Sequence, residues 1–130
     1  MKNNKSEEIK ILLSIQPQFV ESILNGTKKF EYRKIVPKKE PKRIVIYSTA
    51  PISKIIGEVD VEQILIKSLK ELWEETKEFS GISKVFFDKY FKNKKQGLAY
   101  KLGKVIIYES PRTLDSIGIK TAPQSYVYIK

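Results

Sequence analysis

Three charged side chains lie within six residues of one another, where a helical pattern gives way to a strand pattern. Lys28, Glu31 and Arg33 follow Asn25-Gly26 in the segment GTKKFEYR. A lysine and a carboxylate can perform acid–base chemistry when burial or neighbouring charges shift their pKa values. Arginine offers a planar fork of donors that suits a phosphate or a base edge. The segment is therefore either a polar site at a turn or a helix end followed by a strand with ordinary surface charges.

The position of Lys28 decides whether the three charges meet. Residues two apart on a strand face the same way, so Glu31 and Arg33 share one face. Lys28 has the opposite parity and joins them only from the turn after Gly26 or through a bulge. In a site, Arg33 would meet a phosphate or base edge while Glu31 orients it or accepts from a base amino group. Glu31 and Arg33 can equally form a structural ion pair that fastens the fold.

The residue types that are missing from the 130-residue chain exclude several kinds of site. It contains no histidine and no cysteine. Serine–histidine and cysteine–histidine nucleophilic sites are therefore excluded, as are disulfides and thiolate metal sites. A zinc site would have only carboxylates and water as ligands, and we expect no metal and no cofactor. Any acid–base catalysis falls to Glu, Asp, Lys or Tyr.

The chain is strongly basic, with a net charge of +10 from 25 basic and 15 acidic residues. Such a charge attracts polyanions through counterion release. Only Arg33, Arg43 and Arg112 are arginines, however, and the remaining basic residues are lysines. Lysine lacks the planar fork that makes bidentate phosphate or base contacts. The charge permits a nucleic-acid partner without specifying one.

Length and hydropathy predict one domain over residues 1–130, in which residues 1–8 are a frayed, polar N-terminus. No apolar run approaches the roughly 20 residues that span a bilayer. Residues 1–8 lack the apolar core of a signal peptide. We therefore expect a cytoplasmic protein without a membrane partner.

Helix and strand patterns place the charged segment in an α+β fold. Pro17 suits the first turn of a helix that ends at Asn25-Gly26. Ser68 and Glu71 match a capping box, and Gly57 indicates a bulge or a close backbone approach. Strands are expected at 11–15, 28–33, 43–48, 55–64, 97–102, 105–110 and 126–129, with a helical insertion at about 68–91. This order predicts a small, mostly antiparallel β-barrel with flanking helices, with an open α+β sandwich as the alternative.

Four runs of the sequence, in this order, resemble the ASCH domain, a family of the PUA-like superfamily: Leu13-Ser14-Ile15-Gln16-Pro17, Gly26-x-Lys28-x-x-Glu31-x-Arg33, Ile46-Tyr47-Ser48-Thr49-Ala50-Pro51 and Ile56-Gly57-Glu58-Val59. The resemblance extends from Ile11 to Tyr126. It implies a small β-barrel with flanking helices and a cleft near the first helix. It also implies recognition of RNA or of modified nucleotides.

Some ASCH proteins are acetylcytidine amidohydrolases that use a lysine, a threonine and a glutamate. Lys28 matches that lysine, whereas the threonine is replaced here by Glu31. The resemblance implies Glu58 as the partner glutamate. If the chain is an enzyme, its catalytic residues are therefore expected to be Lys28, Glu31 and Glu58.

Two further groups of residues offer hydroxyl, amide and aromatic contacts for a base. The expected ligand-binding residues, together with Lys28, Glu31 and Arg33, are Tyr47, Ser48, Thr49, Gln124 and Ser125. A tyrosine in the core, a Ser-Thr turn and the start of a strand explain these residues equally well.

The favoured function is an RNA-binding or modified-nucleotide-binding module with a basic cleft around Lys28, Glu31 and Arg33, because the family's threonine is absent. One alternative is a hydrolase of a modified nucleoside or of RNA, either an amidohydrolase or a ribonuclease. Another is a regulatory or protein-interaction domain. DNA remains a possible partner, and the sequence leaves the oligomeric state open.

Overall fold

The structure, a computed structural model, describes residues 8–129 and contains over this range one mixed six-stranded sheet and three α-helices. The frayed N-terminus was predicted for residues 1–8, and residues 1–7 lie outside the described range. The strands are β1 (Lys10–Ile15), β2 (Phe30–Arg33), β3 (Arg43–Ser48), β4 (Lys54–Ser68), β5 (Gln96–Arg112) and β6 (Val127–Ile129). The helices are α1 (Pro17–Leu24), α2 (Leu69–Thr76) and α3 (Lys84–Tyr90).

The strand order is β2-β5-β4-β3-β1-β6, with β1 and β3 parallel and the other neighbours antiparallel. The mixed sheet and the three helices of residues 8–129 confirm the α+β class. The sheet is open over this range, so the predicted closed barrel is corrected. The strands at its two ends are short. β6 has three residues and pairs with the first half of β1, from Lys10 opposite Ile129 to Leu12 opposite Val127. Within the described chain, β6 therefore leaves the second half of β1, residues 13–15, uncovered on that side.

Helix α1 forms where its local signals predict it. Pro17 occupies its first turn, and Asn25 caps its C-terminus. Gly26 then adopts φ +85°, a left-handed conformation that favours glycine and turns the chain towards β2. Val20 and Ile23 are buried by the helix against the core of the sheet. The start of β2 is therefore held next to the end of α1.

Strands β4 and β5 form one long antiparallel ladder, in place of the two strands predicted at 97–102 and 105–110. β5 runs through Gly103 without a turn, because register shifts on both sides of Val61 absorb the irregularity. The predicted close approach at Gly57 is confirmed, since a Cβ there would collide with the backbone carbonyl of Ile106. The register also shifts next to Gly57, as expected for a bulge.

The helical insertion between β4 and β5 packs on the β2 end of the sheet. One half of the predicted capping box is formed: the amide of Glu71 donates to Ser68 Oγ and begins α2, while Ser68 Oγ donates to Glu71 Oε1. A 3₁₀ helix at Lys77–Phe79 and the cap at Ser83 lead into α3. The buried side chains that join the insertion to β2 include Phe30, Tyr32, Leu72, Phe87 and Phe91. None of the helices in residues 8–129 has the length and apolar character needed to cross a membrane.

Candidate functional site

A cleft of about 210 Å³ lies on the open side of the sheet, between β2 and the half of β1 that β6 leaves uncovered. The start of α1 and the helical insertion complete its walls. Its lining residues are Ser14, Ile15, Gln16, Phe19, Lys28, Glu31, Tyr32, Arg33, Ile82, Phe86, Tyr90 and Gln124. We call this cavity the first lobe. It contains all three charged residues of the segment after Gly26.

Lys28 reaches the first lobe from the turn, because β2 does not begin until Phe30. The residue is 3% exposed, and its Nζ donates to the carbonyl oxygen of Ser80 at 2.7 Å. Gly81 makes room for this path: a Cβ there would lie 2.5–2.7 Å from the Cβ, Cγ and Cδ of Lys28. Gly81 also has φ +70°, which disfavours other residues. The position of Lys28 thus depends on a glycine far away in sequence.

Glu31 links the two cations of the first lobe. Its Oε1 lies 3.9 Å from Lys28 Nζ, and its Oε2 accepts from Arg33 Nε at 3.2 Å and Nη2 at 2.8 Å. Arg33 Nη2 also donates to the carbonyl oxygen of Ser14 at 2.8 Å. Arg33 therefore joins β2 to β1 across the open side of the sheet. The ion pair fastens the fold and lines the cleft at the same time.

Burial and charge shift the proton affinities in this lobe. The pKa of Lys28 is lowered, first because burial disfavours its charged form and also because of Arg33, while Glu31 opposes the shift. Burial raises the pKa of Tyr32 to about 12, and its hydroxyl donates to Thr76 Oγ1 at 2.6 Å. Lys28 consequently has a larger neutral fraction than a lysine in water. This is the property that an amine needs to accept a proton.

A second lobe of about 200 Å³ adjoins the first. It is lined by Leu13, Arg33, Lys34, Ile35, Tyr90, Tyr100, Gln124, Ser125 and Tyr126. Arg33, Tyr90 and Gln124 line both lobes. Lys34 lines the second lobe and places its Nζ 4.6 Å from the centre of the Tyr90 ring. We call the two lobes together the cleft.

The structure brings together five of the residues that the sequence singled out. Lys28, Glu31, Arg33 and Gln124 line the first lobe, and Gln124 and Ser125 line the second. Tyr47, Ser48 and Thr49 line neither lobe. Tyr47 packs in a buried cluster with Leu12, Val45 and Ile55, and Ser48 is buried at the end of β3.

Glu58 also lies away from Lys28, so the pairing that the resemblance implied is not formed. Its carboxylate accepts from the Tyr108 hydroxyl at 2.5 Å and from Arg43 at 3.3 Å, and lies 3.8 Å from Lys10 Nζ. Lys10, Glu58 and Tyr108 form part of the lining of a separate cavity of about 120 Å³. The bonds to Tyr108, Lys10 and Arg43 lower the pKa of Glu58 despite its partial burial.

The aromatic walls of the cleft were not predicted from the sequence. Phe19, Phe86 and Tyr90 come from two helices that are far apart along the chain. The one local signal was at the end of β1, where Ser14 and Gln16 flank Ile15 after an apolar run. Within residues 8–129, His, Cys, Asp and Glu side chains form no group of three that could hold a metal ion.

The fold that carries this charged cleft beside its first helix is also found in a known domain family. The sequence model of the ASCH domain matches residues 13–112, and the chain therefore belongs to the ASCH domain family. The crystal structure of ASCH from Zymomonas mobilis has the same fold, with a TM-score of 0.85 and 25% sequence identity. The match covers 93% of this chain and 87% of that one. The family indicated by the four sequence runs is confirmed.

The chain is also similar in sequence to three curated proteins with different names. The ASCH domain-containing ribonuclease of Zymomonas mobilis is 28% identical over 92 residues, which is 70% of this chain and 62% of that protein. A segment of the Ureaplasma parvum protein named ATP synthase subunit alpha is 28% identical over 95% of this chain. A segment of large ribosomal subunit protein uL22 from the same species is 27% identical over 92% of this chain. The chain spans only 16% and 39% of those two proteins.

Proposed function

We propose that the cleft binds single-stranded RNA or a modified nucleotide. The observation that carries this proposal is the excess of positive charge inside an aromatic-walled cleft. Three cations, Lys28, Arg33 and Lys34, line the two lobes together with one carboxylate, Glu31. A phosphate group is attracted to such an excess, and Arg33 is held in place by Glu31 and Ser14 before any ligand arrives.

The aromatic walls support contact with bases. Phe86 is 38% exposed and packs edge-to-face on Phe19, with ring centres 5.4 Å apart. Tyr90 stands between the lobes, and Gln124 offers an amide donor and acceptor on the same boundary. Unstacked bases of single strands stack on aromatic side chains and form hydrogen bonds through their edges. A duplex keeps its bases stacked, so the cleft favours single strands.

A second candidate function is RNA cleavage, which the buried Lys28 and the name of the Zymomonas ribonuclease favour. A neutral Lys28 would take the proton from a ribose 2′-hydroxyl. The 2′-oxygen would bond to phosphorus while the bond from phosphorus to the 5′-oxygen breaks, and that oxygen would take a proton from water. Arg33 would stabilise the charge that develops on the phosphate oxygens. The products would be a 2′,3′-cyclic phosphate and a free 5′-hydroxyl.

A matched pair of variants on α3 tests the binding proposal. Phe86 lines the first lobe, whereas its neighbour Val85, 76% exposed, is not among the lining residues. Loss of one base stack costs about 1–3 kcal/mol, which is about fivefold to about 150-fold in Kd. Fluorescence anisotropy with a labelled single-stranded RNA should show this loss for Phe86→Ala and no change for Val85→Ala.

Salt and competing ligands sharpen the binding test. Affinity should fall between about 50 and 200 mM salt, because phosphate contacts release counterions. Single-stranded DNA and duplex RNA of the same sequence should bind more weakly than the RNA strand. Equal losses in the Phe86→Ala and Val85→Ala variants, or no binding of any strand, would contradict the proposal.

Turnover separates the two candidate functions. The same RNA and a panel of acetylated and methylated nucleosides would be incubated with the protein, and products would be separated by chromatography. Lys28→Met removes the buried amine, and Lys29→Met is the control because Lys29 is exposed and lines neither lobe. Product that disappears only in Lys28→Met would establish catalysis, and saturable binding without product would establish a binding module.

A further inference from the structure

We propose that the cleft holds two consecutive nucleotides of an RNA strand, one in each lobe, with the phosphodiester between them at Arg33. This inference rests on the proposed function and narrows its ligand from a free nucleoside to an oligonucleotide. The two lobes are nearly equal, at about 210 and 200 Å³. Each equals the volume of about seven waters, at about 30 Å³ per water. That is the scale of a nucleobase rather than of a single ion.

Arg33 is the residue that we expect to contact the linking phosphate. It lines both lobes, and its Nε and Nη2 are bound to Glu31 and Ser14. Among the hydrogen bonds of residues 8–129, Nη1 of Arg33 has no acceptor. The guanidinium is therefore fixed along one edge and has donors left on the other. A phosphate oxygen is the acceptor that such an edge binds most strongly.

The two lobes have different chemistry. The first contains the Lys28–Glu31 pair and the exposed edge of Phe86. The second is lined by Lys34, Ile35, Ser125 and Tyr126 and carries no carboxylate among its described lining residues. The cation of Lys34 adds to the attraction for a nucleotide in the second lobe. A base in the second lobe would meet aromatic rings and a hydroxyl, which are sequence-tolerant contacts.

A free nucleoside uses only part of this site. It fills one lobe and leaves both the other lobe and the Nη1 edge of Arg33 to water. A dinucleotide fills the second lobe at the high effective concentration that its covalent link provides. We therefore expect affinity to rise sharply from one nucleotide to two and then to level off.

Calorimetric titration of the full chain with ligands of increasing length tests this inference. The ligands are uridine 3′-monophosphate, the dinucleotide UpU and the tetranucleotide UpUpUpU, each checked by chromatography for integrity after the titration. UpU should bind about tenfold or more tightly than the monophosphate, which is the effect of one added base stack. UpUpUpU should match UpU within a few-fold.

Two variants test whether the higher affinity for UpU comes from the second lobe. Ser125→Leu fills the second lobe and should remove the advantage of UpU while the affinity for the monophosphate is kept. Thr121→Leu is the control, because Thr121 is exposed and lines neither lobe. Thermal unfolding of both variants confirms that they are folded. Should Ser125→Leu prove unfolded, the length series in the wild-type protein still decides the question.

The outcomes separate this inference from the proposed function. Equal affinity for the monophosphate and UpU would overturn the two-nucleotide site and leave a one-nucleotide site standing. A further tenfold gain for UpUpUpU, or a UpU advantage that survives in Ser125→Leu, would also overturn it. Absence of binding for every ligand and for longer RNA would defeat both the inference and the proposed function.

Discussion

Glu31 is the one carboxylate among the described lining residues of the cleft, and it stands between two cations. Its oxygens lie 3.9 Å from Lys28 Nζ and 2.8 Å from Arg33 Nη2. Glu31→Gln leaves both cations in the lobe without a counter-charge. Removing one partner of a buried ion pair costs about 3–5 kcal/mol. Because the new amide oxygen still accepts from Arg33, we expect the free energy of unfolding to fall by the lower value, about 3 kcal/mol.

Lys28 gives this loss a characteristic pH dependence. Its pKa is below the ordinary value of 10.5 in the folded protein, mainly because of burial. Between the folded and unfolded pKa values the unfolded state binds more protons, so stability rises with pH. Glu31 raises the pKa of Lys28, and removing Glu31 therefore lowers it further. The variant should regain stability with rising pH from a lower pH than the wild type does.

Urea titrations followed by the fluorescence of Trp73, the single tryptophan, measure these effects at about pH 7 and about pH 9. The set comprises the wild type, Glu31→Gln, Lys28→Met and the double variant. The double variant should be about 2 kcal/mol more stable than Glu31→Gln near neutral pH, because one of the two repelling charges is gone. Repulsion between Lys28 and Arg33 is refuted if the double variant is no more stable than Glu31→Gln at either pH.

Two further predictions follow from the packing and protonation of the site. Gly81→Ala should lose about 1–3 kcal/mol more than Gly118→Ala, because both have positive φ but only the Gly81 methyl would meet Lys28. Equal losses in urea titrations would contradict that contact. Burial raises the pKa of Tyr32 to about 12, so the unfolded state ionises first and stability should fall above pH 10. Tyr32→Phe should make that fall less steep, and an unchanged slope would show that Tyr32 is not its source.

The parts of the fold that sequence reasoning predicted depend on short-range signals. Pro17, Asn25 and Gly26 set both ends of α1 within one segment, and the side-chain cap of Ser68 sets the start of α2. The charged cluster of the first lobe was predicted for the same reason, since its three members lie within six residues. Whether Lys28 joins them depended on where β2 begins, which the sequence left open.

The errors concern contacts between distant segments. Closure into a barrel depends on the lengths of β2 and β6, and the boundaries of short strands are poorly determined by hydrophobic alternation. Glu58 was paired with Lys28 by family resemblance, whereas the register between β3 and β4 places it near Arg43. Phe86 forms part of a cleft wall with Phe19, a contact that neither helix encodes alone.

The pairing of β1 with β6 has a consequence for how such a domain can be attached to other proteins. Lys10 faces Ile129, so the described chain enters and leaves the fold at neighbouring points on one edge of the sheet. A domain with adjacent entry and exit points can be inserted into a surface loop of a host protein without separating the strands on either side of the insertion. For the same reason, a short linker from Ile129 to Lys10 would close the backbone into a ring. New ends could then be cut at the exposed Lys94-Lys95 loop, which lies between α3 and β5 and belongs to no strand, with all strand registers preserved.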